Sequence, residues 1–313
     1  MSTALLESRL TGLGSPRRGK VREVYDLGDH LLMVASDRIS AFDVVMDEGV
    51  PDKGKVLTQM SAYWFSRLEA LAPHHMVSTA ALDLEAVVGR DLGQVAGRSM
   101  IVRKTVPIMV ECVARGYLAG SWWKDYAQGL RSIHGIELPD GLRNGAKLPH
   151  PIFTPATKNE VGHDENISFE QMVQVVGDSM AAWLQDTTLK LYASAAAHCE
   201  SVGLVLADTK FEFGLTPEGP IWIDEALTPD SSRYWPAGYE IGQSPPSFDK
   251  QYLRDYLETC GWGKTPPPPP LPPEVILGTR AKYLEGGIEC AHTRSTAPKV
   301  RSFRSISASS AAW

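Results

Sequence analysis

A chain of 313 residues with 43% hydrophobic and 22% charged residues is ordinary for a globular protein, and we expect two lobes or small domains. No apolar run approaches the length of a membrane span, and the net charge of −6 argues against a nucleic-acid-binding protein. Because the N-terminus lacks a signal-peptide core and the four cysteines show no metal-ligand spacing, we predict a cytoplasmic protein without zinc.

The first third of the chain is rich in residues typical of strands and turns. Predicted strands in this region and just beyond it are Val21–Leu27, Leu31–Ala35, Met100–Val106 and Met109–Ala114. Gly28-Asp29 is a strong signal for a hairpin turn between the first two. Apolar residues at helical spacing predict a helix from Lys55 to Leu71, which Pro73 ends.

A capping box opens a long predicted helix in the second half of the chain. Ser168 is followed three residues later by Gln171, and apolar positions continue at helical spacing to about Cys199. Gly203 then precedes a strand at Leu206–Gly214. Strands, then helices, then a hairpin predict an α+β fold rather than alternating βαβ units.

Prolines dominate the segment from Thr265 to Pro273, which we expect to form an extended strap. A motif for proline-reading domains is the alternative. A final helix is predicted at Glu274–Leu284, followed by a mobile tail. The predicted domains are a β-rich N-terminal lobe (1–110), an α+β lobe (111–264), the strap with the C-terminal helix (265–285) and the tail (286–313).

The strand at Leu206–Gly214 alternates with period two, so Asp208, Lys210 and Glu212 share one face. Turn residues follow, and the hairpin they predict returns Asp224 beside Glu212. Mg²⁺ takes one or two protein carboxylates and leaves its other positions to water and phosphate oxygens. A lysine between the carboxylates can neutralise phosphate charge. The alternative is an amphipathic hairpin whose polar face meets water.

Other basic and hydroxyl groups are candidates for holding phosphates. Lys20 and Arg22 project to one face of a predicted strand, although edge lysines also protect sheets against aggregation. Arg115 and Ser121 can both reach a phosphate monoester, and so can the neighbours Ser232 and Arg233. Two polar loops are separate candidates for the site. For the loop with Asp37 and Arg38, the alternative is a loop that satisfies its own backbone. The acids of the loop with Lys158 can bind an amine or a metal, or can instead stabilise the dipole of the helix that follows.

Several motifs, in one order, resemble those of the phosphoribosylaminoimidazole-succinocarboxamide synthase (SAICAR synthetase) family. The matching segments are Gly19–Tyr25, Ser36–Asp43, Glu111–Ser121, Leu206–Gly214 and Asp224–Arg233, within a resemblance that covers roughly Leu10 to Leu284. Met109 stands where the family pattern has proline, and Trp122 stands where a small residue is common.

The resemblance implies an ATP-dependent ligase of purine biosynthesis with a two-lobed α+β fold. It also implies a nucleotide site similar to those of ATP-grasp and kinase-like enzymes, between a β-rich N-terminal lobe and a mixed C-terminal lobe. It implies that the carboxylate of carboxyaminoimidazole ribotide is joined to the amine of L-aspartate, with release of ADP and phosphate, by way of an acyl phosphate. A small-molecule kinase and a non-catalytic nucleotide sensor are the alternatives. Long forms of the family with a similar strap can be monomers, so we prefer a monomer to a homodimer.

The resemblance and the strand geometry together assign roles to the candidate residues. Lys210 and Asp208 are the predicted catalytic residues. Glu212 and Asp224 are the predicted metal ligands, and the ATP phosphates are assigned to Lys20, Arg22 and Lys210, with Glu212. The residues predicted to bind the ribotide are Arg115, Ser121, Ser232, Arg233 and Asp208. Those predicted to orient aspartate or the reacting carboxylate are Asp37, Arg38 and Lys158.

Overall fold

The computed structural model describes residues 3–158 and 165–291, with side chains as far as residue 287. The predicted tail lies outside the described residues from 292 onward. In the part of the chain that is described, no helix is both long and apolar enough to cross a membrane. Helices and antiparallel strands are mixed along the chain, which confirms the α+β prediction.

The described strands and helices are as follows. The first strands are β1 (Arg17–Arg18), β2 (Arg22–Asp26), β3 (His30–Ala35), β4 (Arg38–Ala41), β5 (Val44–Gly49), β6 (Met76–Ser78), β7 (Ser99–Arg103) and β8 (Val106–Pro107). The later strands are β9 (Val110–Tyr117), β10 (Ser132–Ile133), β11 (Ile136–Glu137), β12 (Lys147–Phe153), β13 (Ala156–Thr157), β14 (Leu204–Thr216), β15 (Gly219–Ile223) and β16 (Ser232–Pro236). The α-helices are α1 (Lys53–Leu68), α2 (Ala81–Val88), α3 (Leu92–Val95), α4 (Gly120–Ala127), α5 (Phe169–Val176), α6 (Asp178–Ser201), α7 (Gln251–Thr259) and α8 (Pro273–Ala291), and Gly89–Asp91 forms a 3₁₀ turn.

One compact unit comprises the described residues of Met1–Ser66, His75–Lys104 and Asp249–Trp313. Its main sheet has the strand order β1-β2-β3-β7-β6, and β4 and β5 form a separate hairpin. Apolar residues of that hairpin, of α1 and of the helices α7 and α8 share one buried cluster. The described residues from Asp249 to Ala291 therefore belong to the same unit as the N-terminal part of the chain, whereas the predicted division placed 249–264 with the second lobe.

The other unit comprises Arg67–His74 and the described residues of Thr105–Phe248. Strand β14 is central, because it pairs with β9, β15, β16 and β8, all antiparallel. Phe211 and Phe213 lie on its buried face, where Phe213 packs edge-to-face with Trp183 of α6 at 5.4 Å between ring centroids. The opposite face of β14 carries the charged residues. Strand β14 thus packs into the core with one face and carries the candidate site residues on the other.

The predicted elements occur in the structure with shifted ends. The capping box of Ser168 and Gln171 is present, which confirms that prediction. The single long helix predicted after it is wrong, because Gly177 adopts φ 82° and separates α5 from α6. A glycine at positive φ interrupts a helix at little steric expense. The predicted hairpin is confirmed, with Thr216 directly opposite Gly219.

Candidate active site

The register of three neighbouring strands brings two arginines to one carboxylate. Arg115 of β9 lies directly opposite Asp208 of β14, and Arg233 of β16 lies opposite Asp208 on the other side. The pairing of β14 with β16 shifts between Leu206 and Asp208, as at a β-bulge. Bulges change the direction in which a side chain points, and they are common beside active sites. Here the shift aligns Asp208 with Arg233.

Asp208 Oδ2 accepts a hydrogen bond from Nη1 of Arg115 at 3.0 Å and one from Nη1 of Arg233 at 2.6 Å. Burial lowers the pKa of Arg115, and the charge of Asp208 opposes that effect. The three side chains carry a net charge of about +1 at neutral pH, since both guanidinium groups stay protonated. A cationic pair held by one carboxylate suits a phosphate group, which guanidinium groups bind in a bidentate manner.

Helix α4 begins next to this cluster. Gly120 adopts φ 62°, and a Cβ atom on it would meet Nη2 of Arg233 at 2.8 Å. Ser121 follows in the first turn and is exposed, so its hydroxyl and the amide groups of that turn are accessible to an anion. The Ser232 hydroxyl is instead 2.7 Å from that of Thr209, in the buried part of the sheet. The structure brings Arg115, Asp208 and Arg233 together with α4.

Farther along the same face of β14, Lys210 and two glutamates form a second charged cluster. Lys210 Nζ donates to Oε1 of Glu111 on β9 and lies 3.5 Å from Oε1 of Glu212. Glu212 Oε2 accepts from Nζ of Lys158. Burial by itself lowers the pKa of Lys210, but the charges of Glu212 and Glu111 outweigh it and raise that pKa above its usual value. Lys210 is therefore a permanent cation rather than a proton acceptor at neutral pH.

The alternation of side chains along a strand does not explain how the carboxylate of Asp224 comes to lie beside Lys210. Ile223 lies directly opposite Glu212, so a regular strand would turn the next side chain to the other face. Strand β15 instead ends at Ile223, and Asp224 takes a left-handed conformation with φ 69°. Its carboxylate lies near enough to Lys210 to raise the pKa of that lysine further.

Glu111 is a member of this cluster that the sequence analysis did not assign. Its side chain is only 9% exposed and contacts Lys210, which is 99 residues away in the chain. A signal was present, because Glu111 precedes Arg115 by four residues in one strand and so shares its face. What the sequence could not supply was the register of β9 against β14.

The carboxylates of this cluster fit the oxygen chemistry of magnesium. Glu212 and Asp224 offer the one or two protein ligands that Mg²⁺ usually takes, with Glu111 beside them. The described residues contain no group of three or more His, Cys, Asp or Glu side chains arranged to hold a metal by themselves. A divalent cation would therefore have to share its ligands with water and phosphate oxygens.

The remaining predicted residues lie in the other compact unit. Lys20 is half-exposed and forms an ion pair with Asp43, and Arg22 opens β2 opposite Ala35. Asp37 is fully buried and accepts hydrogen bonds from Nη1 of Arg98 and from the backbone N–H of Gly54, both at 2.9 Å. These contacts give Asp37 a structural part in its own unit, and its predicted part in orienting aspartate stays a prediction.

Arg38 holds the backbone that carries Lys20. Its Nε and Nη2 donate to the carbonyl oxygens of Lys20 and Gly19 at 3.0 Å each. Its Nη1 donates to Oε1 of the buried Glu23 at 3.1 Å. Arg38 therefore fixes the conformation of the turn before β2, and a direct contact of Arg38 with substrate stays a prediction.

Comparisons with known proteins agree with the resemblance of the motifs. A sequence model of SAICAR synthetase matches residues 16–269. The phosphoribosylaminoimidazole-succinocarboxamide synthase of Trichlorobacter lovleyi is 53% identical over 91% of this chain and 97% of its own length. The enzyme of that name from Xanthomonas oryzae pv. oryzae (strain PXO99A) is 54% identical over 91% of this chain and 96% of its own length.

Solved structures show the same similarity. The SAICAR synthase from Saccharomyces cerevisiae, complexed with SAICAR, is 36% identical and covers 94% of this chain and all of its own, with a TM-score of 0.84. A SAICAR synthetase (Type-2) in complex with ADP is 22% identical over 90% of this chain and all of its own, with a TM-score of 0.65, and supports the fold alone.

Proposed function

Because this chain belongs to the SAICAR synthetase family, whose members are carbon–nitrogen ligases of purine biosynthesis, we propose that it joins carboxyaminoimidazole ribotide to L-aspartate with consumption of ATP. The observation that carries the proposal is the juxtaposition on one sheet face of a cationic Arg115–Asp208–Arg233 cluster and an acidic cluster around Lys210. The first suits a phosphate monoester and the second suits a metal-bound polyphosphate.

The reaction we propose proceeds through an acyl phosphate. The ribotide carboxylate accepts the γ-phosphoryl group of ATP, and ADP leaves. The amine of aspartate then attacks the acyl carbon, so that the C–N bond forms, the C–O bond to phosphate breaks, and the nitrogen gives up a proton. Positioning and charge neutralisation supply most of the catalysis in such a transfer. The described site accordingly offers cations and carboxylates rather than a nucleophile.

Arg115 and Arg233 hold the phosphate of the ribotide in this proposal, together with the Ser121 hydroxyl and the first turn of α4. Their contacts to one oxygen of Asp208 support this role, because the shared carboxylate keeps two like charges side by side. The Ser232 hydroxyl lies beside that of Thr209 in the sheet and is a further candidate for holding the ribotide. Asp208 is our candidate for the residue near the imidazole ring.

Lys210 neutralises the charge on the phosphoryl group in transfer. Its raised pKa supports this role, since a lysine that serves as a cation must stay protonated. Glu212 and Asp224 are the residues that would hold Mg²⁺, and the bound ion would supply further charge neutralisation. Lys158, which pairs with Glu212, is the candidate nearest to this centre for orienting a substrate carboxylate.

Lys20 and Arg22 are our candidates for the ATP phosphates. The support for Lys20 is its half-exposed ammonium group on a turn that Arg38 fixes. Asp37 and Arg38 are retained as candidates for orienting aspartate, although their own contacts are accounted for within the fold. The proposal also includes that the protein is a cytoplasmic monomer. Size-exclusion chromatography with light scattering tests the oligomeric state.

The deciding experiment measures ADP release by a coupled assay with the ribotide, with and without L-aspartate. We expect ADP release that depends on both substrates and the appearance of SAICAR. ADP release that needs the ribotide but not aspartate would indicate a small-molecule kinase. Binding of ATP with no ADP release under any condition would indicate a nucleotide sensor. Omission of Mg²⁺ tests the metal in the same assay.

A further inference from the structure

Arg115 is held at three points, and only one of them is the carboxylate of Asp208. Its Nε donates a hydrogen bond to Oγ1 of Thr154 at 3.0 Å, and its Cζ lies 5.7 Å from the ring centroid of Trp122. That separation is within the range of a cation–π contact. Thr154 and Trp122 are both buried, with 2% and 1% of their surfaces exposed. These contacts orient the plane of the guanidinium group.

Among the described residues, the hydrogen bonds of Arg115 use Nε and Nη1. The two N–H groups of Nη2, with the second N–H of Nη1, are therefore the donors of Arg115 that remain for a ligand. A guanidinium group binds a phosphate well only when the plane of its fork is aligned with the phosphate oxygens. Whatever fixes that plane also fixes where Nη2 points.

Thr154 and Trp122 also line a cavity of about 380 Å³. Arg115 is not among the residues that line it, so Thr154 and Trp122 contact both the cavity and the guanidinium group of Arg115. The indole nitrogen of Trp122 has no hydrogen-bond partner in the described part of the chain, so packing alone sets the ring position.

We propose that Thr154 and Trp122 are positioning residues for the ribotide, acting through Arg115. The inference rests on the proposed function, in which Arg115 binds the ribotide phosphate. Thr154 fixes the guanidinium plane through Nε, and Trp122 keeps the group from rotating away from the substrate side. Neither residue touches the reacting atoms, so their loss changes ribotide binding and leaves the chemical step intact.

The test compares Thr154→Val and Thr154→Ser in steady-state kinetics. Valine keeps the shape and removes the acceptor, so we expect the KM for the ribotide to rise about tenfold, with kcat and the KM for ATP unchanged. Serine keeps the hydroxyl and restores the wild-type KM. Thr216→Val is the matched control, because its hydroxyl bonds to the Gly219 carbonyl in the β14–β15 hairpin, away from Arg115.

Trp122→Phe and Trp122→Leu test the aromatic contact. We expect the ribotide KM to rise more for leucine than for phenylalanine, since leucine has no π face. Should Trp122→Leu fail to fold, Trp122→Phe and the threonine variants still decide the matter. An unchanged ribotide KM in Trp122→Phe and Thr154→Val together overturns the inference.

A double-mutant cycle separates this inference from the function on which it rests. Lysine lacks the Nε donor, so Thr154→Val should add little to the KM of Arg115→Lys, whereas independent effects would multiply. If Arg115→Lys raises the ribotide KM and Thr154→Val does not, the positioning role is wrong and the phosphate role stands. If Arg115→Lys leaves the ribotide KM unchanged, the phosphate role itself is wrong.

Discussion

A Cβ atom on Gly120 would lie 2.8 Å from Nη2 of Arg233. Gly120→Ala therefore forces the guanidinium group away from helix α4, and we expect the ribotide KM to rise about tenfold. Alanine at φ 62° also destabilises the fold by about 1–2 kcal/mol. Gly261→Ala is the control, because Gly261 has φ 63° and an open surrounding. Equal ribotide KM values in the two variants would contradict the prediction.

Glu212→Ala should abolish Mg²⁺-dependent turnover while the fold stays intact. The substitution removes a proposed metal ligand and leaves Lys158 without its carboxylate partner. We expect a loss of at least about 10²–10³-fold in kcat, as for other groups that stabilise charge in a transition state. Initial rates over a range of Mg²⁺ concentrations and a thermal melt are the measurements. Activity like that of the wild type would remove Glu212 from the metal site.

Arg233→Ala should mainly raise the KM for the ribotide. The variant loses a charge-assisted donor and leaves Asp208 with Arg115 as its ion-pair partner, so a rise of about 10–100-fold is expected. Arg233→Lys keeps the charge but not the two-pronged guanidinium group, so its ribotide KM should lie between those of the wild type and Arg233→Ala. Calorimetric titration with the ribotide checks the effect directly. Ribotide binding that stays unchanged in Arg233→Ala rejects the assignment.

Lys210 should act as a cation at every pH at which the enzyme works. The carboxylates hold its pKa above the usual 10.5, so its ion pairs contribute stability fully below that value and lose it as the pH rises through the higher pKa of the folded state. Lys210→Met should lower kcat about 10²-fold or more without changing the shape of the profile of kcat/KM between about pH 6 and 9. Loss of a limb of that profile would instead identify Lys210 as a base.

His74 should make the fold less stable at acid pH. Burial lowers the pKa of His74 below 6.5, although Glu69 opposes the effect. The unfolded chain therefore takes up the proton first, and stability declines as the pH falls through about 6.5 towards the lower folded value. We expect the Tm of the wild type to fall more between about pH 7.5 and 5.5 than that of His74→Phe. Parallel curves for the two proteins would show that His74 does not contribute.

Much of the site follows from local patterns, and the rest depends on contacts between distant segments. Alternation alone groups Asp208, Lys210 and Glu212, because side-chain direction in a strand is a local property. The part played by Glu111 depends on the register of β9, and the approach of Asp224 depends on a left-handed residue at a strand end. The sequence shows that Glu111 shares a face with Arg115 and that the hairpin returns Asp224 towards Glu212, but it does not show the strand register or the left-handed backbone that complete the two contacts.

The same reasoning applies to the fold. The capping box and the β14–β15 hairpin were predictable because their hydrogen bonds join residues that are close in the chain. The alignment of Asp208 with Arg233 was not, since it depends on an irregularity in the pairing of β14 with β16. Gly177 could be noticed in the sequence, but tertiary packing decides whether a glycine interrupts a helix or is carried within it.

The two faces of β14 also restrict how the length of this chain can change. Insertion or deletion of one residue before Asp208 would exchange the faces for the rest of the strand. Lys210 and Glu212 would then turn into the apolar interior, and Phe211 and Phe213 would occupy the substrate side. A substitution within β14 therefore affects either the packing of the core or the charged face, whereas a change of length there disrupts both. A change of length in this unit can therefore be accommodated in its loops but not within β14.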